Sequence, residues 1–382
     1  MRTYCPLLML LSMCALQPLP GQAVHDAKNV VVCRQAGRYG GWPANHGIWS
    51  WGNEIVVGFE LGYHDAGSGI IHTISFTKPA EHLLARTLDG GETWKIEKPL
   101  SLLPPPGITV GKVPVEDGGK PAVECPGGVP FTHPGFAVTI RTASMEDGPS
   151  RFYCSTDRGR NWSGPFVFPN LGTPGIIART SYVVEGPRQC LVFLTPAKPN
   201  HREGRPVCAR TYDGGKSWNL VGWIGPEPDG YAIQPSGLRL EPNHLLAAFR
   251  RNGPSGADIP LLESRDDGKT WAEISRIAGK GNGSNPPSML RLKDGRICVT
   301  YGRRTAPFGI RARISRDQGK TWAEEIVLRA DAGHRDVGYT RTVQLPDGKL
   351  VTVYYFSDKP EAERYIAATI WMPTSTQRFP KP

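Results

Sequence analysis

The stretch "SRDDGKTW" at Ser264–Trp271 recurs almost unchanged as "SRDQGKTW" at Ser315–Trp322. Looser copies are "TYDGGKSW" at Thr211–Trp218, "STDRGRNW" at Ser155–Trp162 and "TLDGGETW" at Thr87–Trp94. All keep Asp-x-Gly-x-x-Trp, with a hydroxyl residue two positions before the Asp. Each conserved type has a local job. The Asp carboxylate accepts backbone N–H bonds within its own turn, and Gly supplies a positive φ. The hydroxyl bonds locally, and the Trp is large enough to wedge between sheets. A cation-binding loop would need more oxygen ligands than each copy offers. The five copies therefore read as a scaffold, each a hairpin between two strands.

Between the copies runs a second element, an apolar strand, a tight turn and another apolar strand. It is clearest as "YTRTVQLPDGKLVTVYYF" at Tyr339–Phe356, "PPSMLRLKDGRICVTYGRR" at Pro286–Arg304 and "QPSGLRLEPNHLLAAFRR" at Gln234–Arg251. Weaker versions are "TSYVVEGPRQCLVFL" at Thr180–Leu194 and "HGIWSWGNEIVVGFE" at His46–Glu60, and "HPGFAVTIRT" at His133–Thr142 is the least regular. That makes six strand pairs. Successive copies of the Trp lie about 50–70 residues apart, one four-stranded propeller blade per step. Each unit runs strand A, turn, strand B, loop, strand C, Asp-containing hairpin, strand D. The chain ends after "RYIAATIW" (Arg364–Trp371), a strand C with no hairpin following, while "NVVVCRQ" (Asn29–Gln35) is an isolated strand near the other end. Pairing the two closes the ring and removes exposed sheet edges. The expectation is an all-β, six-bladed β-propeller with five such hairpins, closed by its N-terminal strand.

Composition agrees. With 45 Gly and 36 Pro in 382 residues the chain is turn-rich. Its first residues, "MRTYCPLLMLLSMCALQPLPGQAVHD", combine one Arg, an apolar run and a small-x-small end, the pattern of a secretory signal peptide over residues 1–23. A lipoprotein reading through Cys14 is the alternative, with bulky Met13 against it. The propeller then spans 24–382, exported to the periplasm or beyond, with no stable membrane insertion. Cys33, Cys125, Cys154, Cys190, Cys208 and Cys298 show no metal-like spacing; Cys190 and Cys208 are either a cross-strand bridge or buried thiols. The net charge of +10 comes from scattered rather than blocked Arg. With export, that argues against nucleic acid and is compatible with an acidic partner. No metal and no cofactor is expected.

The hairpins resemble the Asp-box, or bacterial neuraminidase repeat, Ser-x-Asp-x-Gly-x-Thr-Trp, which 264–271 and 315–322 match in full. By this likeness the chain is identified as a member of the sialidase superfamily over nearly its whole mature length. The motif implies the fold more than the activity, because Asp-box propellers include non-enzymatic members.

In an up-and-down blade the C–D hairpins share a face with the A–B turns, so any site belongs on the opposite face, with the B–C loops and the starts of the A strands. That face collects Asn45, His46, the loop bearing His64, Asp65 and His72, then Arg179, Gln234, Arg250, Arg251, Arg303, Arg304, Asp336 and Tyr339. The Pro-rich insertion Pro99–Pro130 is a candidate wall. This is a cationic cup suited to an anionic sugar, since Arg forks bind carboxylates bidentately. The resemblance implies a Tyr nucleophile at Tyr339, an acid/base at Asp65, and a carboxylate clamp drawn from Arg250, Arg251, Arg303, Arg304 or Arg311; from their place on the loop face His64 and Gln234 are further candidates for substrate contact. Such a Tyr departs from the two-carboxylate rule and needs a base beside it. The sequence departs from the resemblance in three places. "PANHGIW" replaces an Arg-Ile-Pro motif, leaving only Arg38 upstream. Gln234 stands where the activating Glu belongs, and Tyr355 replaces the Glu closing the last blade. The reading is a sialidase-like glycoside hydrolase acting on sialic acid or a related acidic sugar of glycans. The alternatives are a uronate-directed hydrolase or lyase using His46, His64 or His72 with Tyr339, and a non-catalytic glycan- or protein-binding propeller.

Overall fold

The computed structural model describes residues 22–24, 26–68, 71–110, 112–143, 148–201, 204–254, 256–279 and 285–373. Six antiparallel sheets form the blades of a propeller. Blade 4 shows the plain pattern: strands A to D are Tyr231–Glu241, His244–Gly253, Gly256–Ser264 and Ala272–Ala278, joined in sequence order. Blade 3 (Tyr182–Gly186, Gln189–Leu194, Val207–Thr211, Asn219–Trp223) repeats it, as does blade 5 (Ser288–Arg291, Ile297–Arg303, Gly309–Ser315, Ile326–Arg329). In blade 6, Gly338–Gln344, Leu350–Phe356 and Tyr365–Trp371 are completed by Lys28–Cys33, antiparallel to the last of them. The two ends of the chain thus share one sheet, as the unmatched strands predicted.

Two blades depart from the pattern. "HPGFAVTIRT" yields one strand, Ala137–Thr142, not a pair, so blade 2 has three strands. Its outer edge is supplemented by the Pro-rich insertion, where Val123 bridges Phe166. The insertion therefore packs on blade edges. Ala80 bridges Val115 at blade 1, and Gly128 donates its N–H to Asp213 O at the hairpin of blade 3. Blade 1 breaks its A strand into Arg38–Gly41 and Ile48–Trp51, both paired to Glu54–Tyr63. Between them the chain leaves the sheet as a single helical turn, α1 (Pro43–His46), preceded by Trp42 at φ 55. Gly58 makes room for it: a Cβ there would lie 2.6 Å from the His46 Cβ. α1 also packs against the inner strand of blade 6 and the first strand of blade 2.

The five hairpins carry the bonds their residue types predict. In the copy at 264–271, Ser264 Oγ donates to Asp266 Oδ1 (2.8 Å) and accepts the Gly268 N–H (2.8 Å), while the Thr270 N–H and hydroxyl donate to the two carboxylate oxygens (2.9 and 2.6 Å). Those hydrogen bonds, from Thr270 first, draw the Asp266 carboxyl down to about 2. The Trp of each hairpin packs on the preceding blade. Trp162 meets Trp49 of blade 1, and Trp218 meets Phe152 and Phe168 of blade 2. The hydrophobic core therefore lies between blades as well as within them, and Cys33, Cys125, Cys154, Cys190, Cys208 and Cys298 are buried free thiols within it. The leader assigned to residues 1–23 lies outside the described residues except for Gln22–Ala23, which run parallel to Ile326–Val327. Cys14 is outside them too. No helix among the described residues is long and apolar enough to cross a membrane.

Candidate functional site

Two residues on the loop face hold backbone conformations that side chains rarely adopt. Gln234 (φ 58) and Tyr339 (φ 51) sit at equivalent places in the A strands of blades 4 and 6. The strand register shifts at both, between Ile233 and Ser236 and between Gly338 and Arg341. Left-handed non-Gly residues cost free energy and concentrate at working sites. Asn285 holds Tyr339 in place: its Oδ1 accepts the Tyr339 N–H (2.6 Å) and its Nδ2 donates to Val337 O (3.0 Å). Gly338 lets Asn285 come this close, since a Cβ there would lie 2.4 Å from the Asn285 Oδ1.

Tyr339 is 6% exposed and faces a dense polar group. Its ring lies 5.7 Å from that of Tyr355 and 5.7 Å from the Arg304 guanidinium. Arg304 Nη2 donates to Tyr355 Oη (2.8 Å), and Tyr355 donates to Asp336 Oδ1 (2.5 Å). Asp336, 0% exposed, also accepts from the Tyr39 hydroxyl (3.0 Å), and His72 Nδ1 lies 2.8 Å from its Oδ1. Arg304 and Arg364 stand 3.7 and 3.4 Å away. Burial opposes ionisation of Asp336, but His72, Arg304 and the Tyr355 bond overcome it and hold the carboxyl well below its usual range. The ionised Asp336 in turn reinforces what burial does to Tyr39 and Tyr355, pushing both phenols well above theirs. The His72 side chain is 25% exposed. With Nδ1 turned to Asp336, Nε2 is the ring nitrogen left to meet a ligand.

A second polar group occupies the blade 1–3 side of α1. Glu60, near the end of strand B in blade 1, is 1% exposed. It stands directly across from His82, whose Nε2 lies 3.9 Å from Glu60 Oε2. The His82 and His46 rings meet edge to face at 4.8 Å. Arg141 Nη1 lies 3.0 Å from His82 Nδ1. Burial pushes the Glu60 carboxyl up to about 8 against the pull of Arg141 and Arg179. Burial, then Arg141, hold both imidazoles well below their ordinary range. Ligand atoms of His46, Glu60 and His82 lie within 4.8 Å of one another, a spacing a metal could use. The donor set does not suit one. Arg141 can only donate, so His82 Nδ1 accepts and Nε2 carries the proton, the reverse of the second-shell order in metal sites.

The structure brings some of the expected residues together and separates others. Tyr339 and Arg304 share the first group. Gln234 lies at the axis, its Nε2 3.4 Å from Asn45 Oδ1. The Arg250 guanidinium lies over the Tyr231 ring, 5.2 Å from its centroid. Arg251 turns outward to Asp258 (2.8 Å) and Glu273 (2.8 Å), and Arg303 and Arg311 engage Glu325 (3.3 and 3.1 Å). Consecutive strand residues face opposite sides, so each Arg pair delivers at most one guanidinium to the cup. Asp65 folds onto its own loop, accepting the Gly67 N–H (2.9 Å), and makes no bond to the Tyr339 group. His64 is tied through its backbone N–H to Gly37 O and, by a strand bridge, to Ile74. Arg38 is paired with Glu81 (2.7 Å). Sequence reasoning passed over Glu60, His82 and Arg141. The signal was an acid and two bases set among apolar residues within strands that are almost wholly buried.

The fold and site define a six-bladed Asp-box propeller whose loop face carries two buried polar groups flanking an axial helical turn. The chain belongs to the BNR repeat-like domain family, whose sequence profile matches residues 136–352. No curated protein matches the sequence. Among solved structures, a Dyadobacter fermentans protein of unknown function is 21% identical, with 90% of this chain and 98% of that one covered at a TM-score of 0.68. The α-L-arabinofuranosidase Arb93A of Fusarium graminearum is 12% identical (90% and 97% covered, TM-score 0.57). A Trypanosoma rangeli sialidase in complex with sialic acid is also 12% identical, with 91% of this chain but 59% of that enzyme covered and a TM-score of 0.55. These likenesses establish the sialidase-type propeller fold.

Proposed function

We propose that the protein is an exported glycoside hydrolase of the sialidase type that acts on sialic acid or a related acidic sugar. One observation carries this reading: Tyr339, fixed at a positive φ by Asn285, faces Arg304 and the Asp336–His72 pair on the loop face. Tyr339 supplies the nucleophilic oxygen, and Arg304 the charge for an acidic substrate. His72, oriented by Asp336, supplies the proton to the leaving oxygen in place of Asp65, whose carboxylate serves its own loop. The glycosidases among the fold's other members support the class. The leader-like residues 1–23 support export.

Gln234 favours a second reading. It cannot accept the Tyr339 proton, so attack by that oxygen lacks the neighbouring base it needs. A β-elimination on a uronate uses Tyr339 in its protonated form: His72 Nε2 removes the proton beside the carboxylate, the C–O bond breaks with formation of a C=C bond, and the Tyr339 hydroxyl protonates the leaving oxygen. The test is a panel of fluorogenic sialosides and uronosides with uronic-acid oligosaccharides, run on wild type, Tyr339→Phe and His72→Asn. Sugar release lost in both variants supports the hydrolase. An ultraviolet-absorbing unsaturated product identifies the lyase. Turnover that survives Tyr339→Phe refutes both, and binding without turnover leaves the glycan-binding propeller.

A further inference from the structure

The group around Glu60 is unused by the chemistry proposed above, yet it is deeply buried and rich in donors. Asn45, His46, Glu60, His82, Arg141 and Arg179 line a cavity of about 20 Å³. That volume admits one water-sized atom, so only the terminal oxygen of a larger ligand enters. The polar atoms that line it include His46 Nδ1, Glu60 Oε1, His82 Nε2 and Arg141 Nη2, all buried and without a partner among the described residues. Their character is one-sided. Arg141 Nη2 donates, and His82 Nε2 donates because Nδ1 accepts from Arg141. Glu60, when protonated, is a third donor. Arg141 and its neighbour Arg151 make no ion pair among the described residues, and a buried cation without a counter-charge is costly.

The geometry points to an oxyanion-binding subsite at Arg141, His82 and Glu60, formed by blades 1 and 2 beneath α1, that takes the carboxylate or sulfate oxygen of an acidic sugar. It is separate from the arginines the family resemblance assigned to a carboxylate clamp, of which Arg251 and Arg303 are occupied elsewhere. That the anion belongs to a sugar rests on the function proposed above; anion binding itself does not. Glu60 sets the condition for occupancy. As a neutral acid it donates to the anion, and as a carboxylate it repels it and becomes the counter-ion of Arg141 itself. The charged and titratable groups facing Glu60 are His82 across the sheet, His46 from α1, Arg141 and Arg151 from blade 2, and Arg179 ahead of blade 3. The two His are neutral through the range in which Glu60 titrates, whereas burial draws the Arg141 guanidinium down to about 9, so the share of the alkaline loss that belongs to Glu60 is the part Glu60→Gln removes.

The test is binding, measured without turnover. Calorimetric titrations use sodium bromide, glucuronate, N-acetylneuraminate and a sulfated monosaccharide with the full chain at about pH 6.5 and about pH 9. Affinity falls roughly tenfold between the two pH values in wild type as Glu60 ionises, and in Glu60→Gln the fall shrinks to the roughly twofold that Arg141 contributes. Arg141→Gln weakens binding at least about tenfold at either pH. Bromide-soaked crystals show an anomalous peak within the Glu60–His82–Arg141 cavity. Sugar acids and the sulfated sugar separate the two sources of the oxyanion. Bromide binding with no sugar bound overturns the sugar assignment while leaving the anion site. Affinity independent of pH in wild type, or no anomalous peak in the cavity, overturns the site, and neither result depends on the Arg141 variant folding. A site that binds sugar acids on a protein with no turnover refutes the proposed enzyme and keeps the subsite.

Discussion

Replacing Glu60 by Gln tests the electrostatics of the buried group directly. The carboxyl is moved by burial from 4.5 in a solvated chain up to about 8 in the folded one. A folded-state value raised above the unfolded one means the native protein binds the extra proton. Its contribution is complete below about 4.5 and is lost as pH rises through about 8. Integrated from about pH 5 to about pH 9, that loss is about 4 kcal/mol, order of magnitude. Gln keeps the shape and cannot ionise, so the variant escapes it. For 382 residues the unfolding entropy is about 0.8 kcal/mol per degree, and the shift is about 5 °C in Tm. The assay is thermal and urea unfolding of wild type and Glu60→Gln across that range. The difference between the two proteins moves in favour of the variant as pH rises, which cancels every other titrating group. A difference that stays constant within about 1 kcal/mol from about pH 5 to about pH 9 refutes the reasoning, because it means Glu60 is ionised throughout or solvated.

Three further outcomes follow from the packing. Ser264→Ala strands the Gly268 N–H and one contact of Asp266, costing about 1–3 kcal/mol, or about 1–4 °C in Tm, with no change in ligand binding; a loss of binding at unchanged Tm contradicts the scaffold role of the hairpins. Gly58→Ala drives its Cβ into His46, so α1 must move and sugar-acid binding weakens more than stability does, read by titration beside unfolding. Deleting the chain through residue 34 leaves Tyr365–Trp371 as an open edge, which shows as a lower Tm and concentration-dependent aggregation in light scattering.

The hairpins made the fold legible because their Asp, Gly and hydroxyl residues act within eight positions of chain, and their spacing fixes the blade count. The closing strand was legible for a similar reason: Asn29–Gln35 had no partner nearby, and Arg364–Trp371 had no hairpin. The site was legible only in part. That Tyr339 and Arg304 stand together could be read in advance, because both follow from strand position on a known face. Arg251 and Arg303 turn to Asp258, Glu273 and Glu325, because adjacent strand residues point opposite ways and the sequence does not say which of each pair faces the axis. Asp65 accepts a local bond from Gly67 that loop composition does not announce. Glu60, His82 and Arg141 come from different strands, and nothing in the spacing of 60, 82 and 141 says that one cavity joins them. The break in the A strand of blade 1, which lowers His46 onto Gly58, reads in sequence as an ordinary turn around Pro43.

The strand Lys28–Cys33 is among the earliest parts of the described chain to be synthesised, and its partner Tyr365–Trp371 is among the last. No chain still being synthesised can hold both. The last sheet therefore forms only after nearly everything else has been made, and blade 1 must wait for its neighbour across the seam. Asp336, Tyr339 and Tyr355 belong to that final blade, so the Tyr339 group is completed at the moment of closure and not before. An unfinished or C-terminally clipped chain accordingly carries His72 and Arg304 without the Asp336 and Tyr339 they face, so an incomplete copy holds only half of the proposed machinery.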